Sequence, residues 1–114
     1  MGHLAENIAL AYLQDRGLVL RDRNWHAKHL ELDLVMENEK ELHVVEVRSR
    51  RFPMLVAPLD SVRKKKQRNV IKAGSLYVYR NKINKEVVFD IVSIVFHDDR
   101  YDLEYVERAF LPMF

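Results

Sequence analysis

Glu31, Asp33 and Glu46 are the residues whose type and spacing could do chemistry. The first two lie in Leu30-Glu31-Leu32-Asp33-Leu34-Val35, the third in Leu42-His43-Val44-Val45-Glu46-Val47-Arg48. Both runs alternate with a period near two, as strands with one polar edge do. Between them, Met36-Glu37-Asn38-Glu39-Lys40-Glu41 is a polar stretch suited to a hairpin. A turn centred on Asn38 and Glu39 opposes Glu31 to Glu46 and Asp33 to Val44, so all three acids point to one side of the sheet. Opposed and diagonal neighbours sit about 4.5 to 8 Å apart. Carboxylates that close repel one another and raise each other's pKa unless a cation lies between them. Oxygen-only donors of this kind suit Mg²⁺ or Mn²⁺. Three ordinary carboxylates on a solvated sheet face give the same alternation, and the local pattern leaves both readings open.

Basic charge is concentrated directly after the second run. Arg48, Arg50, Arg51, Arg63, Lys64, Lys65, Lys66, Arg68 and Lys72 are nine of the chain's 19 basic residues, and Asp60 is the one acid among them. That segment carries +8 in a chain of net charge +2, which leaves −6 for the rest. A basic block beside an acidic cluster fits a polyanion held against a metal site, and so points to nucleic acid. The alternative is a solvated helix face.

Composition narrows the classes. The absence of cysteine excludes disulfides, thiolate zinc sites and a cysteine nucleophile. With 114 residues, 48% hydrophobic, the chain reads as one domain over residues 1–114 with a real core. Glu6 interrupts the N-terminal apolar residues and no apolar run approaches membrane-spanning length, so a cytoplasmic protein without a membrane partner is expected. His3, His26, His29, His43 and His97 lack metal-ligand spacing and read as structural or surface residues. Tyr77, Tyr79, Tyr101 and Tyr105 could stack bases, although edge tyrosines more often pack into a core or its rim.

The elements that must position these groups follow from periodicity. A helix is predicted from about His3 to Arg16, stopped by Gly17, with Glu6 at the margin of its apolar stripe. Leu18 to Trp25 reads as a strand, followed by the hairpin. Ser49 to Pro58, with Pro53 and Pro58, reads as a loop. A second helix is predicted from Asp60, as N-cap, to Tyr79, weakened near Gly74. Glu86 to Phe96 is the strongest strand, His97 to Arg100 a turn, and Asp102 to Phe110 a last strand. The order is α-β-β-β-α-β-β, a mixed α/β domain.

With these residues in place, the chain resembles the YraN family of small nuclease-like proteins. That family is similar to archaeal Holliday junction resolvases and to the PD-(D/E)XK restriction-endonuclease-like superfamily. The resemblance spans almost the whole chain. Its residues are Ala5-Glu6 through Tyr12-Leu13 and Gly17, Arg23-Asn24-Trp25, Leu30-Glu31-Leu32-Asp33-Leu34, Val45-Glu46-Val47-Arg48-Ser49-Arg50, Lys66-Gln67-Arg68, Phe89-Asp90-Ile91-Val92 and Ala109-Phe110. The resemblance implies a restriction endonuclease-like core, a mixed β-sheet flanked by helices, that hydrolyses phosphodiesters of structured DNA as a two-fold dimer. It implies Mg²⁺ (or Mn²⁺) held by Asp33, Glu46 and Glu6, with Arg48 and Lys66 on the reacting phosphate. Arg50, Arg51, Arg63, Lys64, Lys65 and Arg68 would then bind backbone phosphates without reading sequence. Glu31 is left as a residue behind the ligands or a salt-bridge partner of Arg48, and Asp90 as a structural hydrogen-bonding group.

The chain departs from the family pattern where Ala5 and Leu30 replace glycines and, more seriously, where Arg48 replaces the motif lysine. Arginine keeps the charge and donates in a planar fork, yet practically never gives up its proton. Phosphate stabilisation survives that change; proton acceptance does not. Two other readings therefore stand beside the nuclease: a nucleic-acid-binding module that kept the fold and lost turnover, and a scaffolding domain whose basic helix meets an acidic protein.

Overall fold

A computed structural model describes residues 2–112. The chain forms α1 (Gly2–Asp15), β1 (Val19–Ala27), β2 (Leu30–Glu37), β3 (Glu41–Arg51), a 3₁₀ turn (Leu59–Ser61), α2 (Lys64–Asn81), β4 (Glu86–Phe96) and β5 (Tyr101–Phe110). This is the predicted order. The five strands make one sheet in chain order, antiparallel except for β3 and β4. Those two run parallel because α2 crosses over between them.

The helices cover opposite faces of the sheet. Ala5, Ala9 and Leu13 of α1 pack on Leu34, Met36, Val45, Val92 and Ile94. Val70, Ile71, Ala73 and Tyr77 of α2 pack on Leu42, Val44, Phe89 and Ile91. The central strands are thus buried on both sides, which is why β4 reads as an almost unbroken apolar run. Glu46 lies in β3 and inherits that burial.

Local chemistry sets the element ends. Gly17 takes φ +93°, the left-handed conformation that closes α1, and the Leu18 N–H donates to Leu13 O at 3.1 Å. The second helix starts later than predicted, and Asp60 is not its cap. Residues 59–61 turn as a 3₁₀ segment in which Ser61 Oγ donates to Pro58 O at 2.6 Å. Val62 is then extended and buried in the core, and its carbonyl accepts from Gln67 Nε2 at 2.9 Å. Regular α-helix begins only at Lys64. Gly74 does not weaken the helix end, because it allows close approach to the sheet. A Cβ there would lie 3.0 Å from Phe89 Cε1. The helix runs on to Asn81 and closes at Lys82 in the left-handed region. β1 extends to Ala27, past Trp25 and through His26. β3 extends to Arg51, into the stretch read as loop, because its parallel ladder with β4 continues to Arg51 opposite Phe96. Among the described residues, no helix is long and apolar enough to cross a membrane.

Candidate metal and nucleic-acid site

The acidic cluster begins with the β2–β3 turn. Asn38 Oδ1 accepts the N–H groups of Lys40 at 2.9 Å and Glu41 at 2.7 Å, and the Asn38 N–H donates to Glu41 O at 3.0 Å. Asn38 therefore closes the turn against Glu41, one residue later than the sequence suggests. The observed pairs are Glu37–Leu42, Met36–His43, Val35–Val44 and Leu34–Val45. Continuing that register sets Asp33 opposite Glu46 rather than Val44, and Glu31 opposite Arg48. The partner moves by two residues, so the face is unchanged.

The β2–β3 ladder stops at Leu34–Val45. Just beyond it, Asp33 Oδ2 accepts the Val47 N–H at 2.9 Å, so the carboxylate substitutes for a backbone acceptor and is anchored beside β3. Glu46 is 2% exposed. Its Oε2 lies 3.8 Å from Lys66 Nζ on α2, while its Oε1 is buried without a hydrogen-bond partner. Burial, and then the Asp33 charge, push the Glu46 carboxyl up to about 8 against the pull of Lys66 and Arg48. Burial also raises Asp33, with the Val47 N–H opposing and the Glu6 charge adding to the rise. Two carboxyls are thus held close together in a poorly solvated place, one with an oxygen facing no donor.

Glu6 approaches from α1, and its charge is felt at Asp33. Its Oε1 is already engaged by Arg23 Nε at 3.3 Å and by Asn24 Nδ2 at 3.1 Å. Asn24 sits at φ +53° within β1. Glu31 is exposed and lies 3.6 Å from His26 Nδ1, its one ion pair among the described residues. A salt bridge to Arg48, one of the two roles expected for Glu31, is not formed among the described residues.

The basic residues divide. Arg48, Arg50, Arg63, Lys65 and Lys66 line an open groove of about 700 Å³ together with Val56, Ser61, Asn69 and one acid, Asp60. The Arg48 Nε is buried there without a partner. Lys64 and Arg68, one turn apart, lie on a neighbouring stripe of α2 beside Leu59, Ile71 and Phe110, outside the groove. Arg51 pairs with Asp98 at the far end of β3. The six residues predicted to bind phosphates are therefore not one surface. The helical repeat separates Lys64 and Arg68 from Lys65, and Asp98 neutralises Arg51.

Among the described residues, no group of three His, Cys, Asp or Glu side chains is placed to hold a metal ion. Asp33 and Glu46 form a pair, and the pair fits Mg²⁺, which keeps several waters and takes one or two carboxylates alongside substrate phosphates. The unpartnered buried Glu46 Oε1 is the observation that favours a cation there.

A second polar constellation gives Asp90 the structural hydrogen-bonding role expected of it, with partners the sequence does not reveal. His43 is 3% exposed, with Nδ1 against Asp90 Oδ2 and Nε2 3.0 Å from Glu41 Oε1. Asp90 also accepts from Tyr105 Oη at 2.6 Å and from the Arg108 N–H at 3.0 Å. Every Asp90 oxygen is satisfied, and the group ties β3, β4 and β5 together as a structural element. His43 falling inside an otherwise apolar alternation was the available signal.

Fold and site together define a mixed α/β protein whose five-stranded mixed sheet carries a buried carboxylate pair beside a basic groove. Residues 5–94 match the family described as "Uncharacterised protein family UPF0102", and the chain belongs to that family. It is the family whose motifs the sequence carries under the name YraN. The chain is 38% identical to the UPF0102 protein of Phocaeicola vulgatus over 111 residues, covering 97% of this chain and 92% of that one. It is 38% identical to the one from Parabacteroides distasonis (96% and 91% covered) and 37% identical to the one from Nitrosococcus oceani (96% and 90%).

Proposed function

We propose that this protein is a nuclease with a restriction endonuclease-like core that hydrolyses phosphodiester bonds of structured DNA with a divalent cation held by Asp33 and Glu46. The observation that carries the proposal is the Glu46 carboxyl. It is buried, raised to about 8, short of a donor on one oxygen and set beside Asp33, at the edge of a groove lined by five basic side chains. Bound Mg²⁺ or Mn²⁺ would supply a Lewis acid and lower the pKa of a coordinated water. The chain's own residues do the rest. Lys66, 3.8 Å from Glu46, delivers a point charge where the groove meets the acids. Arg48 lines the same wall and can clamp a phosphate oxygen in the planar fork of its guanidinium. As an arginine it stabilises charge and accepts no proton. Arg50, Arg63 and Lys65 extend the positive wall for the neighbouring phosphates, and Glu6, held by Arg23 and Asn24, keeps negative charge near Asp33.

The test is cleavage of branched, nicked and single-stranded DNA, and of RNA, with Mn²⁺ or Mg²⁺. Wild type is expected to cut, and Asp33→Asn and Glu46→Gln are each expected to abolish cutting while leaving binding. Salt-sensitive binding without cleavage by wild type would make the protein a binding module of the same fold. Absence of binding would leave the scaffolding reading.

A further inference from the structure

Ten large hydrophobic side chains are exposed among the described residues, and half of them fall within eight positions: Phe52, Met54, Leu55, Val56 and Leu59. Met54 and Leu55 are 66% and 64% exposed. This clustering is unlike the single scattered apolar residues of ordinary surfaces. The segment is tethered at both ends. The Phe52 N–H donates to Phe96 O at 2.9 Å, and the Phe52 ring stacks on His97 at 4.7 Å. The Met54 N–H donates to Arg51 O at 2.9 Å, and the Ser61 N–H donates to Ala57 O at 3.1 Å. The ends of the segment are therefore fixed, while Met54 and Leu55 between them face solvent.

Its surroundings decide what it meets. Val56 lines the same groove as Arg48, Arg50 and Arg63, so the apolar tip continues a surface whose charge suits a polyanion. A partner must offer negative charge and flat apolar area within a few ångströms of each other. Nucleic acid offers both, but an intact duplex hides its base faces. Inserting apolar side chains into an intact duplex costs a few kcal/mol of unstacking per step, a cost already met where the stack is open, at a bubble, mismatch, branch or single strand.

We propose that the loop 52–59 is a wedge. Phosphates seat on the basic groove while Met54 and Leu55 insert against unstacked bases, selecting DNA whose stack is already interrupted. This rests on the nucleic-acid reading above and adds the feature of the substrate that is recognised.

The test uses the full chain in EDTA, so that binding is measured without cleavage. The probes are a paired duplex and the same duplex with a short unpaired bubble containing 2-aminopurine. Wild type is expected to bind the bubble about tenfold more tightly, the scale of one base contact, and to brighten the 2-aminopurine. Met54→Ser/Leu55→Ser should lose both the preference and the brightening, with duplex affinity kept within about twofold. Both positions are exposed, and an unchanged melting temperature shows the variant is folded. Equal binding of the two DNAs by wild type, or a variant that behaves as wild type, overturns the wedge and leaves the nuclease reading standing. Absence of salt-sensitive binding to either DNA overturns the reading beneath it as well. Binding of wild type to neutral phosphatidylcholine vesicles that Met54→Ser/Leu55→Ser loses while keeping the bubble preference would also overturn the wedge and assign the loop to lipid.

Discussion

Replacing Glu46 with glutamine keeps the shape of a fully buried side chain and removes its ionisation. In the folded protein the carboxyl keeps its proton up to about pH 8, against an ordinary value of 4.5. Because the folded value is the higher one, the stability this group contributes is complete below about pH 4.5 and is lost as pH rises through about 8. At about 1.4 kcal/mol for each tenfold change in proton affinity, the loss reaches about 5 kcal/mol at most. Glutamine is neutral throughout. The unfolding free energies of the two proteins should therefore converge near about pH 5 and separate by several kcal/mol, in favour of Glu46→Gln, by about pH 9. Asp33, raised mainly by burial, is present in both proteins, and its repulsion of Glu46 is already part of the Glu46 shift. His43 is raised as well, by Asp90 and Glu41 against its burial, so its contribution too is lost as pH rises. It is common to both proteins and cancels in the difference. Urea unfolding at about pH 5, 7 and 9 in EDTA measures the separation. A pH-independent difference, or a variant less stable than wild type at the alkaline end, would refute the burial argument and with it the case for a poised carboxylate pair. In Mn²⁺ the wild type should gain melting temperature more steeply above pH 7 than below, since a cation competes with the proton, and the variant should not.

Arg48→Lys should preserve or raise cleavage, because a smaller ammonium replaces the guanidinium on the same wall, whereas Arg48→Ala should lose about 2 to 4 kcal/mol of transition-state stabilisation in kcat/KM. Failure of both wild type and Arg48→Lys to cut any substrate would end the enzyme reading. Neutralising Arg50, Arg63 and Lys65 together should flatten the dependence of log K on log salt by about 0.9 per lost phosphate contact, while Lys64→Gln/Arg68→Gln, outside the groove, should change it little. Gly74→Ala should destabilise by about 1 to 3 kcal/mol in urea unfolding, despite alanine's higher helix propensity, because its methyl group meets the Phe89 ring at 3.0 Å.

Strand parity is a property of the covalent chain, so the sequence by itself could put Asp33 and Glu46 on one face, and a two-residue error in register left that conclusion intact. The element order was legible for the same reason, since apolar period and the Gly17 stop are local. What decided the rest lies between elements. The hairpin register depends on the Asn38 side chain capturing the Lys40 and Glu41 N–H groups, a choice among turns of similar local energy. The late start of α2 follows from Val62 being drawn into a core that exists only once the sheet is built. β3 reaches Arg51 because β4, which begins 35 residues later in the chain, offers it a parallel partner. The burial of Glu46 and the separation of Lys65 from Lys64 and Arg68 arise when α2 settles across the sheet. Charge count and residue type are written along the chain, but desolvation and the sharing of a groove are properties of the packed molecule. Only the tertiary structure could turn an ordinary glutamate into an acid raised to about 8.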